Sequence, residues 1–480
     1  MDFRKIFNYI PEVTKPEEKK LGFNVKLKWT LIVLAAFFIL ANIPLFGLSN
    51  NALERFEFLA MILGTEFGSI ISLGVGPIVM ASIILQLLVG SGILSIDTTT
   101  SEGKKFFGGL QKLLVLFFIV FEAFIYVLMQ GLQASPGFTY VVILQLILGG
   151  LAIYYMDGLT TKWGFGSGVS LFIAAGVSWR LITSAFQFVN QQGENCLLSF
   201  STIPCSGRVL VFFQSIVNRY PWEDLVSPFA AIFATVLIFL LVIWAQSLKV
   251  EVPLSYGRLR GYSVKWPLSF FYSSVIPVIF TAALVANIQL FGGMLENAAA
   301  PCVSGITACT GMSKFASYFG FMGHFIEGQA ISGLAFWIGS TNILELIIRG
   351  GFLPIYLIQG ITHVLFFVFF STLFAIFWVK TSGMDSKAQA HKIAASGLQV
   401  AGFRQDERVL ESILDRYILP LTVMGGIAIG LLASITDLLG ALVSGTAILL
   451  VIMIFFQFYQ NIVQQHQMDM APVMKKFVGS

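Results

Sequence analysis

The 480-residue chain is 56% hydrophobic and 11% charged, where a soluble domain carries about 25% charged residues. One soluble core cannot absorb that much apolar surface, and a net charge of +4 gives no sign of a freely soluble nucleic-acid binder. The apolar residues fall in stretches long enough to cross a bilayer, about 20 residues each, so length counts spans here rather than domains.

Residues 1–28 are polar and rich in Lys and Glu. The apolar stretch behind them is too long for a signal-peptide core and lacks a small-residue cleavage site, so it is expected to be retained. Ten spans are predicted near 29–48, 70–94, 110–130, 138–156, 168–190, 228–247, 272–292, 352–379, 418–436 and 441–461. Each must be helical or shielded by protein, because hydrocarbon offers no partner to backbone N–H and C=O groups. With the N-terminus inside, 23 of the 29 Lys and Arg residues fall in inner segments, as the positive-inside rule requires. Residues 329–348 are apolar enough to raise an eleventh span, but that would send the basic 380–417 segment outside. They are read as a short outer helix, leaving both termini cytosolic.

The expected fold class is therefore all-α, a polytopic membrane protein with ten transmembrane helices. They divide into two five-helix halves, 29–190 and 228–461, around an outer segment 191–227, with a cytosolic tail at 462–480. An odd number of spans per half means that halves sharing a fold are inverted in the membrane plane.

Residues 50–71 mix Glu54, Arg55, Glu57 and Glu66 with Leu53, Phe56, Phe58, Leu59 and Ile62. Two readings fit: a short helix folded back into a protein-lined cavity, or an amphipathic helix on the outer surface. Glu122 lies in the middle of the third span, where an ionisable group seldom faces lipid and usually finds a polar partner. The cysteines form two local pairs on outer segments, Cys196 with Cys205 and Cys302 with Cys309. Without CxxC spacing they suggest no metal, and bridges within each pair or free thiols both remain open. The histidines at 324, 363, 391 and 466 are scattered and read as isolated side chains. No nucleotide-binding, metalloprotease or calcium-loop pattern occurs, so neither an enzyme activity nor a cofactor is indicated.

Several short runs, in order, resemble the SecY family, the large subunit of the Sec protein-conducting channel. They include Gly74-Val75-Gly76-Pro77, Gln86-Leu87-Leu88-Val89-Gly90, Gly164-Phe165-Gly166-Ser167-Gly168, Val252-Pro253-Leu254 with Arg258 and Arg260, Ile276-Pro277-Val278-Ile279, Ala286-Asn287-Ile288-Gln289, Gly402-Phe403-Arg404, and Asp437 with Gly445-Thr446. Ile10-Pro11-Glu12-Val13 and Lys26-Leu27-Lys28-Trp29 resemble the archaeal branch most. Met80, at a position usually polar there, and the paired cysteines depart from it.

The resemblance implies a gated path for unfolded polypeptides through the cell membrane. Val75, Val79, Val169, Ile173, Ile279 and Leu450, with Leu449 as the alternative register, would form a hydrophobic pore ring that seals by dewetting. Residues 51–64 would form the plug beneath it. Ser72, Gln86, Glu122 and Asn287 would form a polar contact across a lateral gate that releases hydrophobic segments to the lipid bilayer, the alternative for Glu122 being a purely structural interhelical bond. Arg258, Arg260 and Arg404 would dock on the ribosome, through ribosomal RNA and proteins. Signal sequences, nascent polypeptides and small SecE/gamma-type and beta-type membrane subunits would be partners. The rival reading is a secondary transporter, which also uses five-plus-five inverted repeats but needs polar binding groups at the midplane.

Overall fold

A computed structural model describes residues 11–18, 21–96, 100–190, 194–198, 203–256, 263–273, 275–303, 312–326, 328–395, 398–400 and 406–478. Ten helices match the ten expected spans: α1 (Phe23–Ala41), α3 (Gly76–Gly90), α4 (Ser101–Leu128), α5 (Thr139–Trp163), α6 (Gly168–Phe186), α8 (Trp222–Gln246), α9 (Ile276–Val303), α13 (Pro354–Thr381), α15 (Glu407–Leu438) and α16 (Gly445–Val478). Nine are long and apolar enough to cross a membrane among the described residues; α3 is shorter. It starts late because Gly74 turns the chain at φ +54° and Pro77 sits in the first turn, where its missing N–H costs nothing.

Six shorter helices fill the connections: α2 (Glu57–Ile62), α7 (Arg208–Asn218), α10 (Met312–Ser317), α11 (Gly333–Ile338), α12 (Ile343–Ile348) and α14 (Ser386–Ala395). The 329–348 stretch is thus two short helices rather than one, broken at Gly339, and neither is long enough to span.

The fold is mostly helical, as expected, with a few short strands in the connections. An antiparallel sheet joins β3 (Lys249–Tyr256) to β4 (Ser263–Ser269) and to β7 (Leu398–Val400), tying together the two segments expected on the inner face. Two small antiparallel pairs complete the strands: β1 (Leu48–Asn51) with β2 (Leu132–Ala134), and β5 (His324–Ile326) with β6 (Gln329–Ser332).

Burial ranks the spans. In α9, 83% of the span is buried, against 11% in α1, so α9 is enclosed all round and α1 faces mostly outward. Against α9 and α15 lies α13, and the α13–α15 contact is close because Gly426 and Gly430 share one face. A methyl at either would come within 2.9 Å of the Thr372 or Val368 Cα. Polar links join distant parts of the chain elsewhere: Ser184 of α6 donates to Leu442 O at 2.8 Å, and Gln465 of α16 accepts from Lys26 and donates to Leu21 O.

The N-terminal strap is held electrostatically. Lys162 donates to Glu12 at 2.9 Å, Lys112 pairs with the same carboxylate, and Trp163 Nε1 donates to Thr14 O. Hydrogen bonds from the two ammonium groups hold the Glu12 carboxyl down from 4.5 to about 2. A depressed carboxyl stabilises the strap above its free value and stops doing so as pH falls through its bound one. The strap should therefore loosen between pH 4.5 and 2, read by hydrogen exchange at residues 11–18. Glu12→Gln should erase that pH step, and a step that survives the substitution would rule out Glu12 as its source.

Cys196 and Cys205 form a disulfide with a Cα–Cα distance of 5.3 Å. Cys309 and the side chain of Cys302 lie outside the described residues. The bridge closes a short loop, worth about 2–3 kcal/mol in the chain-entropy picture. Cys196→Ser with Cys205→Ser should raise proteolysis of residues 194–207 without lowering membrane insertion; equal cleavage rates would show that other contacts hold the loop.

Candidate functional site

Aliphatic side chains from four spans lie in the large buried core that runs through the molecule. Val75, Val79, Ile173, Ile279 and Leu450 are each under 4% exposed and belong to a single buried cluster, with Val169 half-buried against it. Leu449 is buried there too, so both registers remain. The helices that carry them pack in series, α3 on α9, α9 on α16, and α16 on α6. None of the five faces outward as a lipid-contacting residue would.

The segment before α3 packs on α6 and α9. It begins in β1, makes one tight turn at Glu54–Phe56, and is helical only over Glu57–Ile62. The short helix expected within residues 50–71 is therefore Glu57–Ile62, and its buried side chains place it inside protein, not on an outer surface. Leu53, Phe56, Leu59 and Ile62 are buried; the Phe58 side chain lies outside the described residues. Asn51 ties the start of the segment to the chain beyond it, accepting from Leu53 N and donating to Phe67 O.

The exit from the segment is tight. Val75 N donates to Leu63 O at 2.9 Å, and a Cβ at Gly74 would lie 2.4 Å from that same carbonyl. Only glycine allows both the left-handed turn and this approach. Arg180 of α6 pairs with Glu66 just beyond, at 3.2 Å.

Three contributors to this seat left no pattern in the sequence. The Phe56 ring rests against Gly293 of α9, where a Cβ would come within 2.2 Å of it. Phe325 of β5 stacks on Phe56 edge-on at 5.4 Å. Glu296 positions Phe325 by accepting from its backbone N–H at 3.1 Å. The Gly292-Gly293 pair inside a span was the only available signal.

Among the four gate candidates the expected polar contact is not formed. Asn287 Nδ2 donates to Ala283 O of its own helix at 2.8 Å, and Ser72 Oγ is taken by Ser69 O and Gly68 N. The Glu122 carboxylate lies against Gly76, with neither oxygen hydrogen-bonded among the described residues, and Gln86 Oε1 is also unpartnered. The physical reason is local: Asn287 is satisfied by its own helix, and glycine at 76 lets the carboxylate rest on bare backbone.

Three of the four histidines are not isolated, and the side chain of His466 lies outside the described residues. His363 Nδ1 bonds Ile338 O at 2.7 Å and its Nε2 lies 3.6 Å from Asp437, whose other oxygen accepts from Thr446 N. His324 pairs with Glu296 and His391 with Glu407. The His363–Asp437 group lines a cavity of about 440 Å³ that Leu59 and Ile62 close from the folded-back segment. Arg258, Arg260 and Arg404 lie outside the described residues.

Comparison with known proteins agrees with this arrangement. The SecY family profile matches residues 69–459, and the profile of the plug domain of Sec61p matches residues 36–68. The chain is 39% identical to protein translocase subunit SecY of Methanothermobacter thermautotrophicus over 99% of this chain and 98% of that one. To the corresponding subunit of Methanocaldococcus jannaschii it is 35% identical, with the same coverage. A solved protein-conducting channel superposes with a TM-score of 0.78 at 33% identity, covering 97% of this chain and 98% of that one. Sec61 from the canine ribosome-channel complex of the endoplasmic reticulum superposes with a TM-score of 0.75 at 32% identity, covering 97% of each chain. The chain thus belongs to the SecY family, as a multi-pass, non-enzymatic protein-conducting channel subunit with a plug domain.

Proposed function

We propose that this subunit passes unfolded polypeptides through a constriction made by Val75, Val79, Val169, Ile173, Ile279 and Leu450, and releases hydrophobic segments sideways between α3 and α9. The observation that carries this reading is that Val75, Val79, Ile173, Ile279 and Leu450, from four spans, are buried in the protein core, and that a folded-back segment of the same chain packs on α6 and α9. Apolar walls exclude water from a narrow passage at rest, and an arriving chain supplies the contacts that hold it apart. A transporter would need polar groups where these side chains are aliphatic.

Residues 51–64 act as the plug. Ser72, Gln86, Glu122 and Asn287 line the seam of the side exit. The unpartnered Glu122 and Gln86 atoms support this, since such groups cost free energy when buried and gain hydration or new partners when the seam parts. A Leu-like residue entering lipid gains about 0.3–0.6 kcal/mol on the insertion scale. The halves 29–190 and 228–461 are inverted copies of one fold, with both termini cytosolic. SecE/gamma-type and beta-type small subunits accompany the chain, and Arg258, Arg260 and Arg404 dock on the ribosome. Support for docking comes from the canine relative's ribosome-channel complex and from the shared sheet that joins the 249–269 and 398–400 segments.

The test is reconstitution with small subunits in a planar bilayer. A signal peptide should raise conductance, and deleting residues 52–63 should raise the resting leak. Arg404→Glu should weaken ribosome binding while insertion persists. A complex that inserts but never conducts would end the channel reading; unchanged ribosome binding would end the docking one.

A further inference from the structure

The connection between α6 and α8 carries a surface that polypeptide conduction does not use. On α7, Phe213, Ile216 and Val217 are exposed on one face, and Tyr220 and Trp222 extend the strip past the helix end. Apolar residues at i, i+3 and i+4 make one stripe. The opposite side is fully committed. Gln214 accepts from Cys205 N at 3.0 Å and donates to Ile203 O at 2.7 Å, and Ser215 bonds Val211 O and Asp224 O. Arg208 at the helix start lies 3.9 Å from Glu345. These bonds fix which side of α7 faces out.

Two observations say what that side meets. Phe212 lies 5.7 Å from Phe229 of α8, which stacks on Phe233 at 6.2 Å, and both α8 rings are exposed on the outer surface of a membrane span. The aromatic strip therefore runs unbroken from a lipid-facing helix onto α7. From the end of α7 at Asn218 to the start of α8 at Trp222, the chain reaches at most about 14 Å. Hence α7 cannot leave the boundary at which α8 enters the membrane, where Trp and Tyr collect.

We infer that α7 lies in the bilayer interface at the N-terminal end of α8, with Phe213, Ile216 and Val217 among the upper acyl carbons. The occupant is lipid, and it follows from α8 crossing the membrane, whatever the pore does. Since residues 187–221 are the covalent link between the first five spans and the last five, that link is moored to one leaflet.

The test uses the complex with its small subunits, labelled with an environment-sensitive dye at Val217→Cys and reconstituted in phosphatidylcholine vesicles. The unsubstituted complex, labelled in parallel, corrects for other thiols. The dye should emit as in an apolar medium and resist aqueous iodide. Lipid nitroxides near the headgroup should quench it about twofold more than those near the chain end, as a helix buried about 5–10 Å deep requires. Free access to iodide would overturn the inference. So would protection from iodide without nitroxide quenching, which would mean a small subunit or a second copy covers the face. A second measurement avoids the substitution: a bilayer-partitioned diazirine should label residues 208–222 as heavily as α8, and their absence from the labelled peptides would overturn it too.

Discussion

Replacing Val79 and Ile279 together by aspartate should raise the resting ion conductance of the reconstituted complex by about tenfold or more, while the protein still inserts. Both side chains are almost fully buried in the four-span cluster, and each aliphatic contributes about 1.5–3 kcal/mol to keeping that contact closed. A carboxylate in the same place loses several kcal/mol of hydration if the waist stays dry. The balance moves toward a wet, parted waist, and about 1.4 kcal/mol already shifts an equilibrium tenfold. The paired exchange Val79→Ile with Ile279→Val keeps total volume and polarity and should leave the leak unchanged. Single-channel recording decides it: a folded double-aspartate complex as tight as the parent would remove these residues from the seal.

Gly293→Ala should unseat the plug without destabilising the helix that carries it. In a helix interior alanine is favoured over glycine by about 1 kcal/mol, so α9 itself gains. The new methyl, however, falls 2.2 Å from the Phe56 ring, which must leave. With it go about 1.5–3 kcal/mol of burial and the contact with Phe325 at 5.4 Å, worth about 0.5–1.5 kcal/mol. Loss exceeds gain at the plug alone. Expected are a somewhat lower melting temperature, since the loss exceeds the helix gain, and a leak about as large as that from deleting the plug. Phe56→Ala on the Gly293→Ala background should add little, because the two act on one contact. A parental leak in Gly293→Ala would mean that Phe56 can repack in place.

Hydropathy located the ten spans because each is a long apolar run, and their basic flanks ordered them. Its errors lie where the backbone departs from a straight helix. Residues 70–75 are apolar enough to join the second span, yet a left-handed glycine and Pro77 postpone α3 to Gly76. The β3–β4 hairpin was legible in the alternation of Val250, Val252 and Leu254, but a membrane reading treats such a segment only as a charged connection. The buried aliphatics at 75, 79, 173 and 279 could be singled out only through the family resemblance, since i, i+4 aliphatics occur on any lipid-facing helix. Pairings across long separations, such as Phe56 on Gly293 or His363 near Asp437, have no local periodicity and needed the fold. Glu122 was legible as unusual, whereas its lack of a partner was not.

The hydrogen bond from Val75 to Leu63 joins the end of the plug to the first residue of the waist. A displaced plug remains leashed by the residues between Ile62 and Val75, a reach of at most about 45 Å. Confined to that radius, its effective concentration near the seat is about millimolar, and loops of this length close in about 10–100 ns. Each transit should therefore be followed by recapping faster than ions can drain a gradient, and repeated use would not wear the closure out.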